Sequence, residues 1–305
     1  MKINDPLTFR SGYVAVVGRP NVGKSTLINA FIGQKIAAVS PKPQTTRLNQ
    51  LGILTEEDVQ IVFVDTPGIH EPKHKLGRGM NATALEALAD ADVVLWLVDI
   101  SVSPQDEDVL IAERLARFSP VIQALNKCDQ IADQWLIDQR KKEYRALLPV
   151  QKQIIISAKA QMALNTLRAE ITQLLPIGLP FYPQEQVTDI YERDIAADLI
   201  REAALHHLRD EIPHAIAVRM DEYTEREDVG AYIKATIFVE RESQKGIVIG
   251  RKGSMLKAIG TSARQEIEAM SARKVFLELR VKVRKNWRSD PAFLQQMGYS
   301  DLGKK

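Results

Sequence analysis

The stretch from Gly18 to Ser25 reads GRPNVGKS, placing two glycines, a lysine and a hydroxyl at the spacing of a phosphate-gripping loop. Glycines let successive backbone N–H groups turn inward on a phosphate, and a helix starting behind them adds the positive end of its dipole. Lys24 is placed to reach β- and γ-phosphates, and Ser25 to give its hydroxyl to Mg²⁺. The candidate phosphate-binding set is Gly18, Arg19, Pro20, Asn21, Val22, Gly23, Lys24, Ser25 and Thr26.

Further along are groups that would complete a nucleotide site. Asp65-Thr66-Pro67-Gly68 sets a carboxylate to hold Mg²⁺ through water and a glycine N–H to meet a γ-phosphate. Between that turn and the first loop lie Thr45 and Thr46, either of which supplies a hydroxyl to Mg²⁺; Thr46 is the preferred candidate. In Asn126-Lys127-Cys128-Asp129, the Asp129 carboxylate accepts from both N1–H and the 2-amino group of guanine. Adenine offers neither donor there, which disfavours an ATPase. Lys127 packs its stem along the base, Asn126 ties its loop to the phosphate loop, and Ser157-Ala158-Lys159 offers a backbone N–H to guanine O6. The expected catalytic set is Lys24, Thr46 and Gly68, with Ser25, Thr46 and Asp65 as Mg²⁺ ligands.

Each of these groups needs a strand to carry it. Apolar runs at Tyr13–Val17, Val59–Val64, Val93–Val98, Val121–Leu125 and Ile154–Ile156 read as strands, four of them leading straight into a motif. Val93–Val98 is too uniformly apolar for a half-exposed strand and suits a parallel sheet covered on both faces. With Leu51–Leu54 as a further strand and helical segments near Gln105–Arg117, Asp133–Leu147 and Leu164–Leu174, the expected fold is a doubly wound, mostly parallel α/β domain. Its ligand sits at the strand C-terminal ends.

The proline-rich run Pro176 to Pro183 breaks this alternation and marks a boundary, giving expected domains at 1–176 and 191–305 joined by a linker at 177–190. In the second domain, Gly250-Arg251-Lys252-Gly253 follows an apolar segment and precedes a helix buried on Met255, Ile259, Ala263, Ile267 and Met270. Neither glycine obstructs an approaching RNA backbone, and Arg251 and Lys252 supply phosphate-facing charge. The strand Val275–Lys285 alternates, turning Arg280 and Lys282 to one side. Expected RNA contacts are Gly250, Arg251, Lys252, Gly253, Lys257, Arg280 and Lys282.

Composition agrees with this division. The 305 residues carry a net charge of only +2, yet thirteen basic residues face four acidic ones between Arg241 and Arg288. That local +9 leaves −7 elsewhere, so one domain alone is expected to meet a polyanion. A single cysteine, Cys128, rules out an internal disulfide, and the five histidines have no metal-ligand spacing. With no apolar run of about 20 residues, the chain is expected to be soluble and intracellular.

The ordered motifs GRPNVGKS, PQTTR, DTPG, NKCD and SAK resemble the Era family of GTPases, and VIGRKGSMLKAIG resembles a type II KH domain, an α+β fold. The resemblance covers nearly the whole chain. It implies a GTP-hydrolysing switch on GTP/GDP and Mg²⁺ that binds the 16S ribosomal RNA near its 3′ end and assists 30S subunit assembly. It also implies cytoplasmic location, a monomer, and a secondary peripheral association with the inner face of the membrane. The position after DTPG is Ile69 where Ras-like enzymes carry glutamine, so slow intrinsic hydrolysis is expected. An asparagine at the position of Asn21 implies a K⁺ ion against the phosphates. Two other readings are an RNA scaffold with nucleotide as a structural ligand and a GTPase acting at the membrane surface. The strand period of Val275–Lys285 gives the second no basic amphipathic helix.

Overall fold

The computed structural model describes residues 8–40, 47–68, 75–210, 212–226 and 230–299. Thr45, Thr46 and Ile69 lie outside the described residues. The chain divides into two compact units, one holding 8–34, 47–68 and 80–189 and the other 35–40, 75–79 and 190–299. No helix among the described residues is long and apolar enough to cross a membrane.

The first unit is built on six strands, β1 (Arg10–Val17), β2 (Gln50–Thr55), β3 (Val59–Asp65), β4 (Val93–Asp99), β5 (Val121–Asn126) and β6 (Lys152–Ile155). They lie in the order β2-β3-β1-β4-β5-β6, with β2 antiparallel to β3 and all other pairs parallel. β3, β4 and β5 are buried at every position, as their unbroken apolar runs require in a sheet covered on both faces. Helices α2 (Lys75–Ala89), α3 (Asp106–Leu115) and α4 (Gln134–Leu147) bury Ala84, Leu88, Ile111 and Tyr144 against Ala15, Val17 and Trp96. Alternation then turns Val14 and Phe63 to the opposite face, where α1 (Lys24–Ile32) stacks Phe31 on Phe63 with centroids 4.9 Å apart. α5 (Leu164–Leu174) buries Leu167 and Ile171. From β1 the chain goes to β3 on one side, then returns across β1 to β4 on the other. The resulting switch point lies at the C-terminal end of β1, where α/β sheets hold ligands.

Residues 177–189 stay with this unit. Gly178 N–H donates to the Phe9 carbonyl, Ser11 Oγ to Leu179 and Ile53 N–H to Val187, while Gln60 Oε1 accepts from the N–H groups of Phe181 and Tyr182. The prolines prevent regular structure, and the side chains of Ser11 and Gln60 satisfy backbone groups that no ladder would pair.

The second unit has three strands in the order β7-β8-β9 (Ala217–Arg226, Gly230–Val239, Val275–Val283). β7 and β8 run antiparallel, β8 and β9 parallel. Helices α6 (Glu192–His207) and α8 (Ser254–Ser271) pack Leu199, Ala203, Ile259, Ala263 and Ile267 on one face, against Ile233, Ala235 and Ile237. α7 (Glu242–Ile249) runs into the Gly250–Gly253 turn ahead of α8. On the opposite sheet face a closing segment with α9 (Pro291–Gln296) sets Phe293 edge-on to Phe238, and Trp287 Nε1–H donates to the Ala215 carbonyl.

Candidate nucleotide site and RNA groove

The parallel strands deliver their last residues to one edge of the sheet. Val16 of β1 is level with Asp65 of β3, and Asp99 of β4 with Asn126 of β5. Gly18 follows β1 so closely against β4 that a Cβ there would collide with the Leu97 carbonyl. Gly23 has φ of 104°, in the left-handed region, and a side chain there would strike Asn126 Nδ2. Both glycines are therefore required by the loop's shape.

Lys24 is 7% exposed, its Nζ donating to the carbonyls of Gly18 and Arg19 at 3.1 and 3.2 Å. Burial lowers its pKa to about 8, against the pull of the nearby Asp65 carboxylate. An ammonium curled onto two loop carbonyls keeps its third N–H for a ligand and holds the phosphate loop closed.

Ser25 Oγ–H donates to Asp65 Oδ2 at 2.7 Å, on a carboxylate that is fully buried. A hydroxyl and a carboxylate converging beside a phosphate loop are hard oxygen donors, the set Mg²⁺ prefers with nucleotide phosphates. These residues fit that ion. Thr66 Oγ1–H donates to the Val16 carbonyl at 2.7 Å and fixes the DTPG turn to β1. A side chain on Gly68 would come within 2.8 Å of the Pro20 nitrogen, so only glycine lets the turn lie this close to the phosphate loop.

At the far end of the same edge, Asn126 Nδ2–H donates to the Val22 carbonyl at 2.8 Å, and its Oδ1 accepts from Ala158 N–H at 2.9 Å. Ser157 Oγ–H donates to Asp129 Oδ1 at 2.5 Å and aims the carboxylate. Lys127, at φ 68°, reaches Asp99 Oδ2 at 2.6 Å. Burial opposes the charge on Asp99, but Lys127 and the Ser101 hydroxyl outweigh it and hold the carboxyl below its usual range. Arg19 Nε–H donates to Asp108 Oδ2 at 3.1 Å, and Asp108 is wholly buried.

In the second unit, Gly253, Leu256, Lys257, Gly260, Thr261, Arg264, Leu277 and Leu279 enclose a groove of about 380 Å³ between α8 and β9. Leucines form its floor, and Lys257 and Arg264 line it. Gly250 has φ of 74°, and a Cβ there would sit 2.7 Å from the Met255 nitrogen.

The sequence profile described as a 50S ribosome-binding GTPase matches residues 13–127, and a KH domain profile matches 211–288. GTPase Era of Heliobacterium modesticaldum is 44% identical over 293 residues, covering 96% of this chain and 98% of that protein. GTPase Era of Clostridium tetani is 47% identical over 293 residues, covering 95% and 99%. This chain belongs to the Era family of GTPases. Among solved structures, Era in complex with MgGDPNP and nucleotides 1506–1542 of 16S ribosomal RNA superposes with a TM-score of 0.91 at 39% identity. It covers 95% of this chain and 99% of its own. A point variant of Aquifex aeolicus Era bound to GDP.AlF4- gives 0.90 at 39% identity, with the same coverage.

Most of the groups the sequence marks in the first unit come together in the fold of this Era-family chain. The fold brings Gly18–Thr26, Asp65–Gly68, Asn126–Asp129 and Ser157–Lys159 to one edge, with five side-chain hydrogen bonds joining separate motifs or β1. Lys257 lines the KH groove, next to the Gly250–Gly253 turn that carries Arg251 and Lys252. Arg280 and Lys282 do not line it: they project from the sheet face opposite the floor leucines, because neighbouring strand positions point to opposite sides. Asp99 and Asp108 escape sequence reading. Asp99 carries one faint signal, an acid at a strand end beside the NKCD strand.

Proposed function

We propose that this GTPase is a nucleotide-controlled switch that grips the single-stranded 3′ region of 16S ribosomal RNA in its KH groove during 30S subunit assembly. The observation that carries the reading is the groove itself, a leucine-floored channel of about 380 Å³ rimmed by glycines and cations, in one chain with a phosphate loop tied to Asp65 and Asn126. It is supported by the Era relative that holds MgGDPNP and nucleotides 1506–1542 of that RNA. A KH groove clamps about four nucleotides.

In this reading Gly18–Thr26 cradle the phosphates, with Lys24 turning its ammonium from the loop carbonyls toward the β- and γ-oxygens. Ser25, Asp65 and Thr46 hold Mg²⁺, which when bound neutralises charge on the β- and γ-phosphates. Gly68 N–H meets the γ-phosphate, and its loss on hydrolysis releases the segments around Thr46 and Gly68. Asn126, Lys127 and Asp129 read guanine, and Ser157–Lys159 close over O6. Gly250, Arg251, Lys252, Gly253 and Lys257 carry the RNA backbone. The functional domains are 1–176 and 191–305. Asn21 helps hold a K⁺ ion that supplies charge otherwise given by an arginine finger, and equal turnover in K⁺ and Na⁺ buffers would sink that element. The protein acts as a cytoplasmic monomer with peripheral access to the membrane.

The test is RNA binding by the full-length chain with GTP analogue, GDP and no nucleotide, at one fixed salt concentration. A tenfold difference between states, about 1.4 kcal/mol, establishes coupling of the two sites. Equal affinity in all three states overturns the switch and leaves an RNA scaffold.

A further inference from the structure

Among the described residues, the outer face of the three-stranded sheet, turned away from α6 and α8, is covered at one end only. There Phe238 is 6% exposed, with Phe293 5.0 Å away at a steep angle. At the other end Phe276 is 68% exposed. It is not a stray surface residue. Tyr232, its register partner on β8, lies against one face of its ring, with centroids 5.7 Å apart and planes 14° apart.

The surroundings of this pair are ordered and mixed in charge: Glu222 and Glu278 flank Lys234 in the next row of the sheet, and Arg280 and Lys282 follow along β9. The Tyr232 hydroxyl donates to Glu278 at 2.8 Å, and Arg280 pairs with the same carboxylate at 2.8 Å, so one acid fixes both ring and guanidinium. Lys234 and Lys282 share this face and make no ion pair among the described residues. An open aromatic face among cations is how single-stranded nucleic acid is held without base-specific hydrogen bonds. β9 is also the edge strand whose inner face floors the groove, so a strand leaving the groove meets this surface by turning around one exposed edge.

We propose that this face is a second RNA surface: Phe276, backed by Tyr232, stacks a nucleobase of the strand leaving the groove, while Lys234, Arg280 and Lys282 hold its phosphates. The proposal rests on the RNA-binding reading above. It gives Arg280 and Lys282 a role outside the groove, and it accounts for RNA far longer than the four or so nucleotides a KH groove clamps.

The test compares two RNAs on the full-length protein: an oligomer of about four nucleotides that fills the groove alone, and one with the sequence of nucleotides 1506–1542. Phe276→Ala is expected to weaken the long RNA by about tenfold and leave the short one unchanged. Phe276→Trp should retain the long-RNA affinity. Lys234→Glu with Lys282→Glu should weaken the long RNA and flatten its salt dependence. Thermal melts confirm folding, since none of these side chains is buried. Long-RNA affinity within about twofold of wild type in both the alanine and the glutamate variants overturns the surface and hands the face to a protein ligand. An equal loss on both RNAs also overturns it, because the effect then lies in the groove. If the wild-type protein binds neither RNA, the RNA-binding reading itself fails.

Discussion

The side-chain amide of Asn126 donates to the main-chain carbonyl of Val22 across 2.8 Å, binding the guanine-side loop directly to the phosphate loop. Because Asn126 also accepts from Ala158 N–H, one buried amide sets the spacing of three loops that share no local sequence. Asn126→Ala leaves a buried carbonyl and an N–H without partners, a loss of roughly 1–3 kcal/mol. Calorimetry of the nucleotide-free chain should show the lower melting temperature, and fluorescent-GDP titration a weaker Kd. An unchanged Kd would show that the loops hold their spacing without it.

Asp129 presents only acceptors, held by the Ser157 hydroxyl at 2.5 Å. Asp129→Asn replaces one acceptor with an amide donor, which repels the 2-amino group of guanine and matches the 2-carbonyl of xanthine. Affinity for GTP should fall by at least about tenfold and affinity for XTP rise, since an unmatched polar pair costs more than a lost one. Competition between the two nucleotides measures both together. Unaltered preference for GTP would remove Asp129 from base recognition.

Lys24 ionises in the nucleotide-free chain with a pKa of about 8, lowered by burial. Its charged form binds phosphate, so triphosphate affinity holds below pH 8. It falls above that value, by up to about tenfold per pH unit, until the bound-state pKa is reached. Stability of the empty protein has the opposite sign. Between about pH 8 and 10 the unfolded lysine keeps a proton that the folded one has lost, so stability rises with pH. Lys24→Ala should remove both trends and abolish nucleotide binding while leaving the KH unit folded.

Gly250 and Gly253 both adopt positive φ, 74° and 79°, but only at Gly250 does a Cβ meet backbone, 2.7 Å from the Met255 nitrogen. Gly253→Ala should cost about 1–2 kcal/mol, the left-handed strain of one non-glycine residue. Gly250→Ala adds a clash that must displace the start of α8, so its melting temperature should be clearly lower. Equal melting temperatures would mean the turn relaxes at no cost.

Removing Asp108 tests a group found only in three dimensions. Its buried carboxylate accepts from Arg19 Nε–H and Gln105 N–H and lies 3.4 Å from the Tyr144 hydroxyl. Asp108→Ala should destabilise the chain by roughly 1–3 kcal/mol and, by loosening Arg19, raise the dissociation rate of bound GDP.

Sequence by itself determined which strands exist in the first unit's centre and which motif each of them delivers. A parallel strand buried on both faces must be apolar throughout, and a phosphate loop must place its glycines, lysine and hydroxyl within eight residues, so both signals are local. Gly18–Ser25, Asp65–Gly68 and Asn126–Asp129 were legible for that reason, as was the alternation of β9. Tertiary structure decided what depends on distant partners. Asp99 matters only because Lys127 reaches it from the next strand, and Asp108 only because Arg19 lies across the sheet edge. α2 and α9 carry no motif, and residues 177–189 hold to the first unit through Ser11 and Gln60, which no proline pattern announces. The same limit separated Lys257 from Arg280 and Lys282. All three sit in one basic stretch of sequence, yet packing of α8 against a single face of β9 assigns the first to a leucine-floored groove and the others to the opposite side.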